Sequence, residues 1–298
     1  MRILVTGATG TLGSAMVPAL LRAGHEVRAL SRSRRDGSGN VDWRWGDLIS
    51  GDGVAEAVRD VDAIAHLATS GRKGRGAVDI PGTRTLAILA REAGVPHLLL
   101  TSVVGADRAP HGYLKHKLEA EGVVAASGLG WTILRATPFH QWLHARLRGY
   151  RSLPVLPVDR SLRWQPVHTG EVAARVAELL AAGPTGTAVD FGGPQVIDTG
   201  ELVGTWLRAE GLRRLCPSVR YPGRLHAAQR AGALLTDAMP KGGITWHDYL
   251  LPRPAPALDD DFASEHTASP TSPATQPEND PDLHVYGGDE GYERPTRS

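Results

Sequence analysis

A chain of 298 residues with 41% apolar side chains can fill a substantial core, and its apolar runs break well short of the roughly 20 residues a membrane helix needs. The net charge of +1 hides an asymmetry: residues 253–298 carry ten carboxylates against three arginines, so the remaining body is +8. Its lysines and arginines are scattered without the aromatic-interleaved basic stripe of nucleic-acid readers, and the lone Cys216 excludes an internal disulfide.

The first thirteen residues, MRILVTGATGTLG, read as a strand over 3–5 running into a turn where Gly7, Gly10 and Gly13 are spaced as G-x-x-G-x-x-G. Leu12, Met16, Val17, Leu20 and Leu21 then recur at helical spacing. A helix opening there aims its free N–H groups and positive dipole end at a pyrophosphate. Thr9, Thr11 and Leu12 belong to the same loop and are expected to line it. The N-terminus enters a folded strand without a signal-peptide pattern, so a cytoplasmic location is expected.

Further strand-like runs at 27–30, 41–45, 63–67, 98–101 and 132–134 alternate with helix-length or turn-length segments, the pattern of βαβ units. The expected fold class is therefore α/β, a Rossmann-type doubly wound parallel sheet with a small C-terminal substrate lobe. Residues 1–135 are expected to form the NAD(P)-binding Rossmann domain. After Arg135 prolines punctuate shorter elements, with helix-like stretches at 201–210 and 225–235. Residues 136–252 thus read as a small substrate lobe whose late strands and helices return to the core. From 253 to 298 the chain is acidic, proline-rich and too poor in apolar residues to offset its ordering entropy, so it is expected to be disordered.

Two stretches carry chemistry. Strand two ends in ALSRSRRD, with no acidic residue to meet an NAD ribose. Arg32, with Arg34 and Arg35 near it, suits a ribose 2′-phosphate through forked, charge-assisted hydrogen bonds, which favours NADP(H) over NAD(H). A solvated basic loop with Asp36 close by is the other reading. Further on, Tyr113 and Lys117 form Y-x-x-x-K, and i, i+4 spacing puts both on one helix face. Six tyrosines and four lysines leave about 0.1 such pairs to chance. A carbonyl or quinone oxygen that gains charge on hydride transfer needs a proton donor, and a phenol beside a cation supplies one.

GATGTLG, VDIPGTRTLAILAREAGVPHLLLTSVVGADR, HGYLKHKLEAEGVVAASGLGWTILRATPFH, WQPVHTGEVAARVAELL and DFGGPQVIDTGELV occur in this order over residues 1–250. Together they resemble the atypical short-chain dehydrogenase/reductases of the NmrA-like, NAD(P)H-binding group. The resemblance implies that Asp47, with Leu48 beside it, meets the adenine edge, and that Leu67, Ala68 and Thr69 pass beside the adenosine ribose. It implies that Lys117 bonds the nicotinamide ribose and that Ser102, with Thr101 as a substitute, orients the substrate oxygen. Phe139, His140, Trp142 and Leu143 would line the substrate pocket, a flat apolar one, or else form the lobe core. One departure stands out: mainstream relatives use an asparagine to organise a proton-relay water, and Asn40 and Asn279 are the only asparagines, neither in the right place.

His140 and His144 are also i, i+4, with His168 and Glu171 further on, but no motif fixes a third ligand and no metal is expected. The expected function is an NADPH-dependent reductase of a small-molecule carbonyl, quinone or activated alkene. A non-catalytic NADPH-sensing regulator is the alternative from another class. Epimerase or dehydratase chemistry on a nucleotide sugar fits the fold but is disfavoured by Arg32 and the short lobe. A small-molecule substrate is the expected partner, with no nucleic acid and no membrane, and monomer and homodimer both stay open.

Overall fold

The computed structural model describes residues 1–35, 39–69 and 78–251. The six runs expected as strands form β1 (Arg2–Thr6), β2 (Glu26–Ser31), β3 (Val41–Trp45), β4 (Ala63–His66), β5 (His97–Val103) and β6 (Gly130–Ala136). All pair in parallel, in the order β3-β2-β1-β4-β5-β6. The short β7 (Arg163–Trp164) lies outside this sheet, whereas β8 (Ala188–Phe191) extends it as a seventh strand beside β6. No strand was expected at 188–191, because AVDF is brief and half-exposed and takes its register from β6. The fold is thus the expected Rossmann-type doubly wound sheet.

Strand alternation sends the side chains of β1, β5 and β6 to two opposite cores. Ile3, Val5, Leu99 and Leu134 pack with α1 (Gly13–Arg22) and, later in the chain, α6 (Thr169–Ala182). Leu4, Ile64, Leu98, Leu100 and Ile133 pack beneath α2 (Val54–Ala57), α3 (Thr83–Glu92) and α4 (Tyr113–Ala125). Because strand order reverses between β1 and β4, their carboxyl ends open a crevice at the topological switch point.

The C-terminal lobe has a core of its own. α5 (His140–Arg148), α7 (Thr199–Ala209) and α9 (Trp246–Leu250) enclose Leu143, Leu147, Leu156, Trp164, Leu202, Trp206 and Trp246. β9 (Ile197–Asp198) pairs antiparallel with β7 and leads straight into α7, whose Asp198 cap accepts from the Glu201 N–H at 3.0 Å. The helix expected at 225–235 is shorter, α8 (Arg224–Arg230), and a turn follows it. Among the described residues no helix is long and apolar enough to cross a membrane. Asp36 and the stretch expected to be disordered, 253–298, lie outside the described residues.

Candidate functional site

The glycine turn sits at the switch point. Gly7 adopts φ +70, and a methyl group there would stand 2.7 Å from the Ala68 nitrogen of the chain leaving β4. A methyl on Gly13 would collide with the Gly7 carbonyl oxygen, so the first turn of α1 packs directly on the loop. Gly10 differs: its N–H closes the turn on the Gly7 oxygen at 3.0 Å, and a methyl there would meet that one atom, at 3.3 Å. The outer two glycines thus hold the turn shut while the middle one leaves its rim bare. The rim fits a pyrophosphate approaching the N-terminus of α1.

At the carboxyl end of β2 the Trp45 indole donates to the Arg32 carbonyl at 3.1 Å, which anchors the backbone there. The Arg35 guanidinium lies over the Trp43 ring at 4.9 Å, whereas Arg32 and Arg34 are exposed. Asp47 uses a carboxylate oxygen to accept from the Ile49 N–H at 2.7 Å, and Leu48 is buried in the core below α3, where Gly82 packs on it. Leu67 and Ala68 are half-buried, and Thr69 is exposed at the rim.

Gly112, at φ 53, swings the chain into α4 so that Tyr113 occupies its first position. One turn later, Lys117 is 4% exposed. Its nitrogen lies 5.6 Å from the Tyr113 ring centre and 2.9 Å from a carboxylate oxygen of Asp79, itself 1% exposed. Asp79 comes from a π-helical turn, Val78–Gly82, that leads into α3. The same carboxylate oxygen accepts from the Thr69 hydroxyl at 2.7 Å, and Thr69 stands 3.4 Å from the Tyr113 oxygen. Burial works to lower the Lys117 pKa, yet Tyr113 and Asp79 outweigh it and raise it, so this lysine stays charged. Beneath the pair, His66 bridges Thr6 at 2.6 Å and Thr83 at 2.8 Å. Burial, helped by the Lys117 charge, pushes its pKa down to about 3, so its ring is neutral.

Tyr113, Lys117 and Thr69 therefore converge, and Ser102 does not join them. The pleat of β5 turns the Ser102 hydroxyl onto Glu121 of α4, to which it donates at 2.5 Å, whereas the next residue, Val103, packs on the cluster of Ala109, Leu114 and Leu234 that Tyr113 also joins. Glu121 is also gripped by Arg135, whose guanidinium donates at 3.0 and 2.7 Å. Those bonds raise the Arg135 pKa. Expected to orient substrate, Ser102 belongs instead to a buried clamp between α4, β5 and β6.

The four expected pocket residues are dispersed as well. Phe139 bridges Val167 and packs on the sheet core. His140 is fully buried, stacked on Tyr249 at 5.1 Å and Trp246 at 5.7 Å. Trp142 packs on the lobe core under the Arg146 guanidinium, 6.0 Å from its ring centre. Leu143 lines a cavity of about 240 Å³ inside the lobe, walled by α5, α7 and residues 153–158, which no residue of the sheet domain lines. The residues that share a small apolar cluster with Tyr113, around Ala109, Leu114 and Leu234, are Val103, Leu225 and Ala228 of α8 and Ala233 in the turn after it. Sequence reasoning missed these and Asp79; the one signal for Asp79 was an acidic residue four positions before Thr83 in VDIPGT. His144 hydrogen-bonds Tyr249 and Glu210, and among the described residues no three metal-ligating side chains gather.

A family model described as NAD(P)H-binding matches residues 7–182. Among solved structures, an NADPH-dependent quinone oxidoreductase from Escherichia coli, complexed with NADPH, superimposes with a TM-score of 0.72 at 19% identity, covering 83% of this chain and 98% of that one. A nucleoside-diphosphate-sugar epimerase from Staphylococcus aureus does so with a TM-score of 0.71 at 17% identity, covering 84% and 99%. At such identities the likeness is one of fold. An uncharacterized protein of Mycobacterium tuberculosis is 30% identical over 205 residues, 68% of this chain and 22% of that protein. A photosystem II assembly factor of Cyanophora paradoxa is 28% identical, over 58% of this chain and 54% of its own. The chain thus spans between about a fifth and about half of these two relatives.

Proposed function

We propose that this chain, which belongs to the NAD(P)H-binding family of atypical short-chain dehydrogenase/reductases, is an NADPH-dependent reductase of a small-molecule carbonyl, quinone or activated alkene. The supporting observation is the position of Tyr113: its oxygen lies 3.4 Å from Thr69, in the chain that leaves β4 against Gly7, with the charged Lys117 one helical turn behind. A bound reduced nicotinamide supplies hydride. Tyr113 gives its phenolic proton to the oxygen that gains charge, Lys117 supports the phenol and the ribose from below, and the Gly7–Gly13 loop with α1 holds the diphosphate. Arg32, exposed where β2 ends, meets a ribose 2′-phosphate. Val103, Leu225 and Ala228 pack with Tyr113 on one apolar cluster of Ala109, Leu114 and Leu234, and an apolar end to the site suits a flat hydrophobic substrate.

The test is NADPH oxidation over a panel of quinones and carbonyls. Tyr113→Phe is expected to lower turnover by about 10²–10⁴-fold, the usual worth of a positioned general acid, while NADPH affinity stays within about twofold. Retained turnover in that variant sinks the assignment. Arg32→Ala is expected to reduce the ratio of NADPH to NADH affinity about tenfold, the worth of a charge-assisted pair. The regulator reading draws on Ser102, which Glu121 occupies, and on the missing relay asparagine. It prevails if the wild-type protein binds NADPH but oxidises none of it across the panel.

A further inference from the structure

Asp79 is a buried carboxylate for which hydride and proton transfer at Tyr113 have no direct use, and any role for it in catalysis rests on the reductase reading of that tyrosine. One of its oxygens accepts the Thr69 hydroxyl at 2.7 Å and lies 2.9 Å from the Lys117 ammonium. A threonine hydroxyl has a single hydrogen. With that hydrogen on Asp79, the 3.4 Å contact between Thr69 and the Tyr113 oxygen has the phenol as donor. The polarity therefore runs from Tyr113 to Thr69 to Asp79, and from Lys117 to Asp79, with the carboxylate as the common sink.

We propose that Asp79 is a positioning residue that keeps Tyr113 in its proton-bearing form, by neutralising the Lys117 charge beside the phenol and by fixing the direction of the Thr69 bridge. An ammonium next to a phenol favours the phenolate. A carboxylate 2.9 Å from that ammonium opposes its field at the phenol. Reduction needs the phenol: its O–H bond breaks as the substrate oxygen takes the proton and the neighbouring carbon takes hydride from NADPH, and solvent then reprotonates the phenolate. Oxidation of an alcohol needs the phenolate at the outset. Asp79 thus biases the site towards reduction.

Among the described residues, several other charged and titratable groups of the surrounding elements have partners of their own. His66 of β4 is neutral between Thr6 and Thr83, and Glu121 of α4 pairs with Arg135 of β6, which also reaches Asp107. Arg84 of α3 and Glu119 of α4 line the outer groove between those helices, and Lys115 lies 3.8 Å from Glu119. On α8, Arg230 pairs with Asp159 and His226 bonds the Pro222 carbonyl; α4 also carries His116 and α8 also carries Arg224.

The experiment reads the ultraviolet tyrosinate signal against pH in the full chain, with the Tyr113 contribution isolated by subtracting Tyr113→Phe made in each background. Asp79→Asn is expected to bring the Tyr113 phenolate in about one pH unit lower or more, and to move the alkaline limb of NADPH-dependent reduction the same way. Adding Lys117→Met to Asp79→Asn removes both buried charges and is expected to return the midpoint to the wild-type value. Thr69→Val keeps the Asp79–Lys117 pair, so it serves where Asp79→Asn does not fold, and is expected to lower the midpoint by a smaller step. An unchanged midpoint in Asp79→Asn or in Thr69→Val overturns the proposal, as does a double variant that stays shifted. These midpoints need no turnover, so they separate this role of Asp79 from the reductase assignment, which stands or falls on Tyr113→Phe.

Discussion

His66 shows how one buried side chain couples this end of the sheet to pH. Its ring is fully buried between two threonine hydroxyls, and burial together with the Lys117 charge holds its pKa at about 3. In the unfolded chain an imidazole titrates at about 6.5. Between those values the unfolded chain binds more protons than the folded one, so stability rises with pH. His66 therefore contributes stability that is fully present above pH 6.5 and is lost as pH falls towards about 3, at no more than about 1.4 kcal/mol per pH unit. His97, whose pKa burial also lowers, adds to the same slope. Urea unfolding from pH 3 to 7 on the wild type and on His66→Gln isolates the His66 share: the variant is expected to lose stability less steeply on acidification. Parallel slopes would show that the ring is charged in the folded protein.

At the scale of elements, most of the sheet was legible because each strand up to β6 is a short run, apolar or, as in the VDWRW of β3, alternating, between turn signals. The glycine loop was legible for a local reason too, since Gly7 and Gly13 are demanded by contacts within and beside the loop. Tyr113 and Lys117 share a face of α4 as i, i+4 spacing dictates. The bond from Ser102 to Glu121 was not legible because the direction of that side chain depends on the parity of the β5 pleat against α4, which the run TSV does not reveal. Glu121, one turn beyond Lys117, is what takes its hydroxyl, and the two buried charges of α4, each held by a partner from another element, fix the rotation of the helix. The segment 139–143 was ambiguous in principle, since aromatic and apolar residues at helical spacing suit a pocket wall and a lobe core alike. Helix α8 joins the cluster that Tyr113 packs on across more than 100 residues of chain, a placement no local pattern carries.

For the whole molecule, the lobe and the sheet domain are stabilised by different side chains, and this makes them separable by mutation. Trp246 of α9 is 1% exposed, donates to the Leu202 carbonyl at 2.9 Å and stacks against His140 and Tyr249, so it ties the last described helix back onto α5 and α7. None of these contacts reaches the glycine loop, Asp79, Lys117 or Tyr113. Trp246→Ala is expected to cost about 3–5 kcal/mol, the usual range for truncating a buried tryptophan. The loss will appear in the urea midpoint. NADPH affinity measured well below that midpoint is expected to stay within about twofold, because the cradle rests on β1, α1 and the chain leaving β4. A large loss of affinity in a variant that remains folded would mean that the lobe core, through α8, sets the geometry of the nucleotide edge as well.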